Sequence, residues 1–304
     1  MDYDDIAAHY LVPPTDPIPA PELPISAARR LRDAIEPIAT IGWWSRSASD
    51  EATAIGLDFF GGYVWGRAAA MGADVSPAVV VSAFGVFDSS LLTAVLTAAK
   101  ATASSEDVLA HREAGAAAGL AAAASDIDAA VIESLGGRLS EALSDLDGAG
   151  RPLFSALRAL PSPSDVYGRL WRAAEMVREH RGDGHLAACI AAGLDAVEMN
   201  ILTELWLDYP LGEYSASRGF SPELIAEAAE RLQSRGWMGE NGALTADGKG
   251  VRESIEEATD RSQQALVDEL GDDLEDLVAL ADTVGAAVLE ANAAPADPRK
   301  RAAG

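Results

Sequence analysis

The stretch Arg178-Glu179-His180-Arg181-Gly182-Asp183-Gly184-His185 gathers two of the chain's four histidines, two carboxylates and two glycines into one short segment. Neutral imidazoles beside a carboxylate can hold zinc or iron, move a proton, or orient an organic ligand. The spacing is neither His-Glu-x-x-His nor a cysteine-containing pattern, so no metal is assigned and no cofactor can be named. Glu179, His180, Asp183 and His185 are therefore candidate ligand-binding residues, with no catalytic residue assigned. The structural alternative is a helix–helix junction. Gly182 would end one helix, Asp183 would cap the next, and His185 would pack.

A second group lies between Gly56 and Gly72, where Phe59, Phe60, Tyr63, Trp65 and Arg67 follow Trp43-Trp44. Gly61, Gly62 and Gly66 weaken a helix, so they imply close helix approach or room for a ligand. Tyr63 and Trp65 could line a cavity with Arg67 as its polar anchor, suited to a flat or anionic small molecule. An aromatic core closed by glycines explains the same residues. His111-Arg112-Glu113 heads an Ala/Gly-rich helix and reads as half-exposed. No Gly-rich phosphate loop, nucleophile elbow or Ser/His/Asp order is recognisable.

The elements that must position these residues are helical by apolar spacing. Ser26 caps a first helix through about Ile35, with Pro37 near its end. Ser49-Asp50-Glu51, Ser76-Pro77, Asp88, Ser104-Ser105 and Ser125-Asp126 open five more. Glycines at 148 and 150 and the Pro161-Ser162-Pro163 break place a boundary near residues 148–163. A helix from Ser164 to about His180 follows. The expected layout is a Pro-rich flexible arm (1–24), a helical domain with the aromatic candidate pocket (25–150), a winged-helix domain (163–260), a C-terminal helix (261–292) and a disordered basic tail (293–304).

In the second half, Asp195 to Trp206 reads as a helix and 213–219 as a short helix or turn. Ser221-Pro222-Glu223 starts a helix with Leu224, Ile225, Ala228, Ala229 and Leu232 on one face. Glu240-Asn241-Gly242 then turns a tiny hairpin, and Thr245 or Asp247 caps an exit helix. This is the order of a winged helix-turn-helix, so the fold class is mainly α with a small β-hairpin wing. Helix 221–235 sets three glutamates (Glu223, Glu227, Glu230) against Arg231 and Arg235, and the wing carries Glu240. With Arg218, those two arginines are the candidate DNA contacts, but most of the attraction to phosphate is missing.

The whole chain points the same way. It has 48 acidic against 23 basic residues, a net charge of −25 and a pI near 4.3, which repels nucleic acid and acidic membranes. Cys189, the single cysteine, lies in an apolar helical stretch and reads as a buried, inert thiol. The start is acidic and Pro-rich, not a signal peptide, and the longest apolar stretch, Val75 to Phe87, is too short for a bilayer. A cytoplasmic location without membrane contact is expected.

The run Arg231-Leu232-Gln233-Ser234-Arg235-Gly236-Trp237, with Leu244-Thr245-Ala246-Asp247-Gly248 after it, resembles MarR-type regulators. Arg29-Arg30-Leu31 with Glu36-Pro37, Gly62-Tyr63 with Gly66-Arg67-Ala68-Ala69, Gly150 to Phe154, Glu179 to His185 and Arg235-Gly236-Trp237 together resemble a family of actinobacterial helix-turn-helix proteins. The resemblance implies an N-terminal helical domain followed by a MarR-like winged helix, and it brings no substrate or catalytic residues. The expected function is a regulator-derived winged-helix protein that binds a small molecule or a protein partner, with weak or no DNA binding. A MarR-like DNA-binding regulator and an enzyme using the Glu179–His185 segment are the alternatives. The stripe Leu266, Leu270, Leu274, Leu277, Leu280, Val284, Val288 and Leu289 suits either a homodimer contact or packing within the chain.

Overall fold

Side-chain oxygens of Ser26, Ser45, Asp58, Ser76, Asp88, Ser104, Asp128, Asp165, Asp195, Ser221 and Thr245 each accept a backbone N–H at a helix start. These caps satisfy donors that the first helical turn leaves open. In the computed structural model, which describes residues 3–13, 15, 16, 19 and 25–302, the helices are closely joined. The first half holds α1 (Tyr3–Ile6), α2 (Ala27–Trp44), α3 (Arg46–Ala54), α4 (Phe59–Ala68) and α5 (Pro77–Phe84). It continues with α6 (Ser89–Thr102), α7 (Ser105–Ala123) and α8 (Ala129–Ser144). The second half holds α9 (Pro152–Arg158), α10 (Val166–Ala191), α11 (Ala196–Trp206), α12 (Glu213–Ser217), α13 (Pro222–Ser234) and α14 (Ala246–Arg261). It ends with α15 (Gln264–Leu270), α16 (Leu274–Glu290) and α17 (Pro298–Ala302).

Two helices run past the ends that local signals give them. Pro37 marks an expected end of the first helix, yet α2 continues through it to Trp44. Ile35, Ile38 and Ile41 are almost completely buried, and that burial outweighs the roughly 3 kcal/mol cost of an interior proline. Gly285 of α16 lies over the Ala34 carbonyl and the Pro37 ring, where a Cβ would come within 3.1 Å of the oxygen. Likewise Gly182 does not end a helix. α10 spans 26 residues through Gly182 and Gly184, and a Cβ on Gly184 would sit 2.2 Å from the Ser262 hydroxyl. That glycine serves a close approach, so Asp183 lies mid-helix and starts no helix of its own; it accepts instead from a first-turn N–H of α9.

The expected hairpin wing is reduced to one antiparallel bridge, Met238 to Leu244, and no strand occurs among the described residues. Gly242 takes the positive φ of the turn (79°). Gly239 N–H bonds the Ala243 carbonyl and Thr245 N–H bonds the Trp237 carbonyl.

The main core joins Ile35 and Ile38 of α2, Leu120 of α7, Leu135 of α8, Trp171 of α10 and Leu277 of α16, so residues on both sides of 148–163 share it. Within that stretch α9 buries Phe154 and Leu157. Residues 261–292 are not one helix, because Gly271 (φ 49°) breaks them between α15 and α16. Leu266, Leu270, Leu274, Leu277, Val284 and Val288 are buried within the chain. A second core forms around Val64, Trp65, Phe84, Leu92 and Leu96, and a third around Ile201, Leu202, Ile225, Leu232 and Ile255.

At the ends, residues 3–11 are helical, against the flexible arm expected over 1–24. Much of that Pro-rich stretch, including Pro14, Pro17, Pro21 and Pro24, lies outside the described residues. The basic tail holds the short helix α17. Arg299 pairs with Asp297 and stacks 4.3 Å from the Tyr209 ring, and Lys300 donates to the His9 carbonyl.

Candidate functional site

A helix brings residues i, i+4 and i+8 to one face, and α10 carries Glu175, Glu179 and Asp183 at that spacing. All three are buried, and a buried carboxylate needs a partner. Arg112 of α7 takes Glu175 with both terminal nitrogens. Arg67 of α4 takes Glu179, its Nη2 lying 2.9 Å from each carboxylate oxygen. Asp183 receives the Phe154 backbone N–H at 3.1 Å, while its Oδ1 is buried without a hydrogen bond.

Around the central pair, Arg178 donates to Glu36 and to Glu179, both at 3.2 Å. The Tyr63 hydroxyl accepts from Arg67 at 2.9 Å. Trp43 faces both guanidinium groups, 4.6 Å from Arg178 and 5.5 Å from Arg67, and Phe84 lies 4.4 Å from Arg67. Burial would raise the Glu179 carboxyl, but Arg67 and Arg178 outweigh it and hold it below its ordinary value. Asp183 forms no ion pair among the described residues, and burial pushes it up to about 7, with Glu179 adding to the rise and the more distant Arg67 and Arg151 opposing it.

Tyr63, Arg67 and Glu179 thus come together from the two separate sequence groups, while the other candidates lie elsewhere. Trp65 is almost completely buried in the second core, where its indole N–H donates to the Ala103 carbonyl. His180 bonds Gln263 at 2.8 Å and meets the Phe154 ring edge-on. His185 bonds Thr259 at 3.0 Å and lies 3.6 Å from the Cys189 sulfur. The two imidazoles share no partner among the described residues. Burial lowers His180 to about 4 and His185 to about 3, leaving both neutral, and raises the Cys189 thiol to about 11. No cluster of three His, Cys, Asp or Glu side chains able to hold a metal occurs among the described residues.

Sequence reading misses Glu256, which binds Arg29, Arg181 and Arg252 and so ties α2, α10 and α14 together. Burial would raise it, yet these cations hold it well below its ordinary value. The available signal is a glutamate four residues after Arg252, which a solvated helix face shows equally well. Internal space near Arg67 is small. A void lined by Trp43, Tyr63, Gly66 and Arg112 measures about 40 Å³, and one beside Glu36 and Arg178 about 20 Å³. These suit water rather than an organic ligand.

The order α11, α12, turn, α13, bridge, α14 is joined here by a match to the model of a helix-turn-helix family over residues 28–295. The chain belongs to that helix-turn-helix family. No curated protein and no solved structure matches it.

In this helix-turn-helix protein the candidate DNA contacts are engaged internally. Arg231 bonds Asp195 at 2.6 Å and the buried Glu198 at 3.2 Å. Arg235 reaches Glu198 at 3.5 Å, donates to the Gly193 carbonyl and stacks on Trp237. Arg218 lies between the Phe87 and Tyr214 rings. The outward residues of α13 include Glu223, Leu224, Glu227 and Glu230. Among the described residues no single helix is long and apolar enough to cross a membrane.

Proposed function

We propose that this is a regulator-derived winged-helix protein of MarR-like architecture that binds a small molecule or a protein partner and reads DNA weakly or not at all. One observation carries the reading. α13, the helix in the recognition position, exposes Glu223, Glu227 and Glu230, while its Arg231 and Arg235 neutralise the buried Glu198. Major-groove readers need free donors on that face, and phosphate contacts supply most non-specific affinity. Arg252 cannot help, because it is buried against Glu256 and stacks on Trp206.

The binding role draws support from the helix-turn-helix family match, while the Tyr63–Arg67–Glu179 cluster leaves only water-sized voids beside it and holds α4 on α10. An enzymatic role for the Glu179–His185 segment finds no such support, since its imidazoles have separate partners. A cytoplasmic location, and a homodimer formed through a surface outside the buried C-terminal stripe, are compatible with this reading. The test is fluorescence anisotropy with a library of short DNA fragments at physiological salt. Dissociation constants weaker than about 1 µM are expected, and sub-micromolar binding would overturn the proposal. Native mass spectrometry before and after denaturation tests for a retained small molecule and reads the oligomeric state.

A further inference from the structure

A surface helix of a strongly acidic chain ordinarily turns charged side chains outward, as α8 does with Glu133 and Glu141 and α16 with Glu275 and Asp282. α6 does not. Leu92, Leu96 and Ala99 are buried in the second core, so by helical spacing Ala94 and Ala98 point away from it. Every exposed residue from Thr93 to Thr102 is alanine or threonine. The Thr97 and Thr102 hydroxyls donate to the Thr93 and Ala98 carbonyls at 2.7 and 3.0 Å. Their polar atoms are thus turned back onto the helix, and the surface they leave is largely methyl. The flanks are equally bare. From Val75 to Ser105 the sequence holds two charged residues, Asp88 and Lys100, in a chain that is 23% charged. The Asp88 carboxylate caps α6 at Ser90 and Leu91. The Lys100 ammonium donates to the Val75 carbonyl at 3.0 Å and lies over the Trp65 ring. α5 packs beside α6, and its exposed Ala78, Val79 and Ser82 are uncharged too.

Charge decides what suits such a face. The chain carries a net −25, so a second copy is repelled over the acidic remainder of the surface and approaches most easily where charge is absent. A basic partner would be drawn instead to the acidic helices. Shape agrees with a second copy. Ser90, Ala94, Ala98 and Thr102 form one ridge at i, i+4 spacing, with Thr93, Thr97 and Ala101 beside it. Ridges of this spacing on two helices interdigitate at a crossing angle of about −50°, and under a two-fold axis the same ridge meets itself. We propose that α6 is a homodimer interface, packed on α6 of a second copy across a two-fold axis, with Ala94 and Ala98 at the crossing. The consequence reaches the helix-turn-helix. Gly219, just before α13, lies over Leu91 in the first turn of α6, where an added Cβ would come within 2.5 Å of the leucine. The Asp88 N–H also bonds the Arg218 carbonyl. A two-fold axis through α6 therefore fixes the two copies of α13 relative to each other.

This inference rests on the regulator-derived reading above and names the surface of its homodimer. Its test is sedimentation velocity of the full chain at concentrations up to about 100 µM. The proteins compared are the wild type, Ala98→Glu and Ala98→Lys, each checked for fold by circular dichroism. The wild type should reach twice the 31.6 kDa chain mass. Each variant alone should self-associate roughly tenfold more weakly or worse, because like charges meet across the axis. Mixing the two in equal amounts should restore the dimer, because opposite charges then meet. Cross-linking gives a second readout. With Cys189, the single cysteine, replaced by alanine, Ala98→Cys should form a disulfide-linked dimer under mild oxidation, whereas Ser134→Cys on the exposed face of α8 should not. A monomeric wild type would overturn the proposal and leave the face to an unlike partner. A dimer undiminished in both charge variants, or one that mixing fails to restore, also overturns it. The reading of weak DNA binding falls separately, on sub-micromolar affinity for DNA fragments.

Discussion

Arg67 and Glu179 stand 112 residues apart in sequence and meet through three hydrogen bonds of 2.9, 2.9 and 3.2 Å. Their side chains are 9% and 2% exposed, so the pair pins α4 against the middle of α10 in a nearly dry setting. Arg178 and Tyr63 complete its hydrogen bonds.

Breaking that pair from one side should be costly. Glu179→Gln leaves the Arg67 guanidinium buried without its counter-ion, and a loss of about 3–5 kcal/mol is expected in urea denaturation followed by tryptophan fluorescence. Replacing both residues with methionine should cost clearly less than the two single changes added together. A loss below about 1 kcal/mol for Glu179→Gln would mean the pair is screened by water.

The pH dependence of stability should contain two opposed contributions. Asp183, raised to about 7 from an ordinary 3.8, keeps a proton in the folded state that the unfolded chain releases. Stability from this group therefore falls as pH rises from about 4 to 7. His180 and His185, lowered to about 4 and 3 from 6.5, act oppositely, because the unfolded chain binds their protons first as pH drops below about 6.5. In thermal denaturation from pH 4 to 8, Asp183→Asn should gain on the wild type as pH rises. His180→Gln should flatten the acid limb. A parallel pair of curves for Asp183→Asn and wild type would show that its proton is not held.

Charge on α13 can be reversed without touching its core. Glu223, Glu227 and Glu230 are all exposed, so changing the three to lysine should preserve the fold. The variant should bind duplex DNA non-specifically, with log affinity falling against log salt at a slope up to about −0.9 for each phosphate that the new lysines neutralise. Unchanged, negligible binding would mean that shape as well as charge keeps DNA away.

Two glycines on α14 should respond in opposite directions. A Cβ on Gly248 would lie 2.0 Å from the Trp237 carbonyl oxygen, whereas one on Gly250 would meet nothing within 4 Å. Gly248→Ala should destabilise by about 1–3 kcal/mol and disturb the Met238–Leu244 bridge. Gly250→Ala should stabilise by about 0.5–1 kcal/mol through helix propensity. Equal effects on thermal unfolding would contradict this close packing of the bridge on α14.

Most helix starts can be read directly from the chain because each cap is a contact over two or three residues. Ser26, Ser76, Asp88, Ser104, Ser221 and Thr245 all act where their types predict. Two starts shift, to Ser45 and Asp128, where neighbouring polar residues offer competing oxygens. The candidate site is half legible. Residue type and spacing single out Tyr63, Arg67 and Glu179 but not their meeting, and they suggest a DNA contact for Arg218.

By itself, then, the sequence determined what local chemistry governs: helical periodicity, caps, the Asn-Gly turn, and an acidic outward face on α13. Tertiary structure decided that α2 crosses Pro37 and α10 crosses Gly182, because burial on facing helices outweighs the local cost of proline and glycine. It also decided which cations are neutralised. Arg67 finds Glu179 on a distant helix, while among the described residues Arg218 meets aromatic rings and a phenol, a difference set by which helix faces meet in space and invisible to any spacing along the chain.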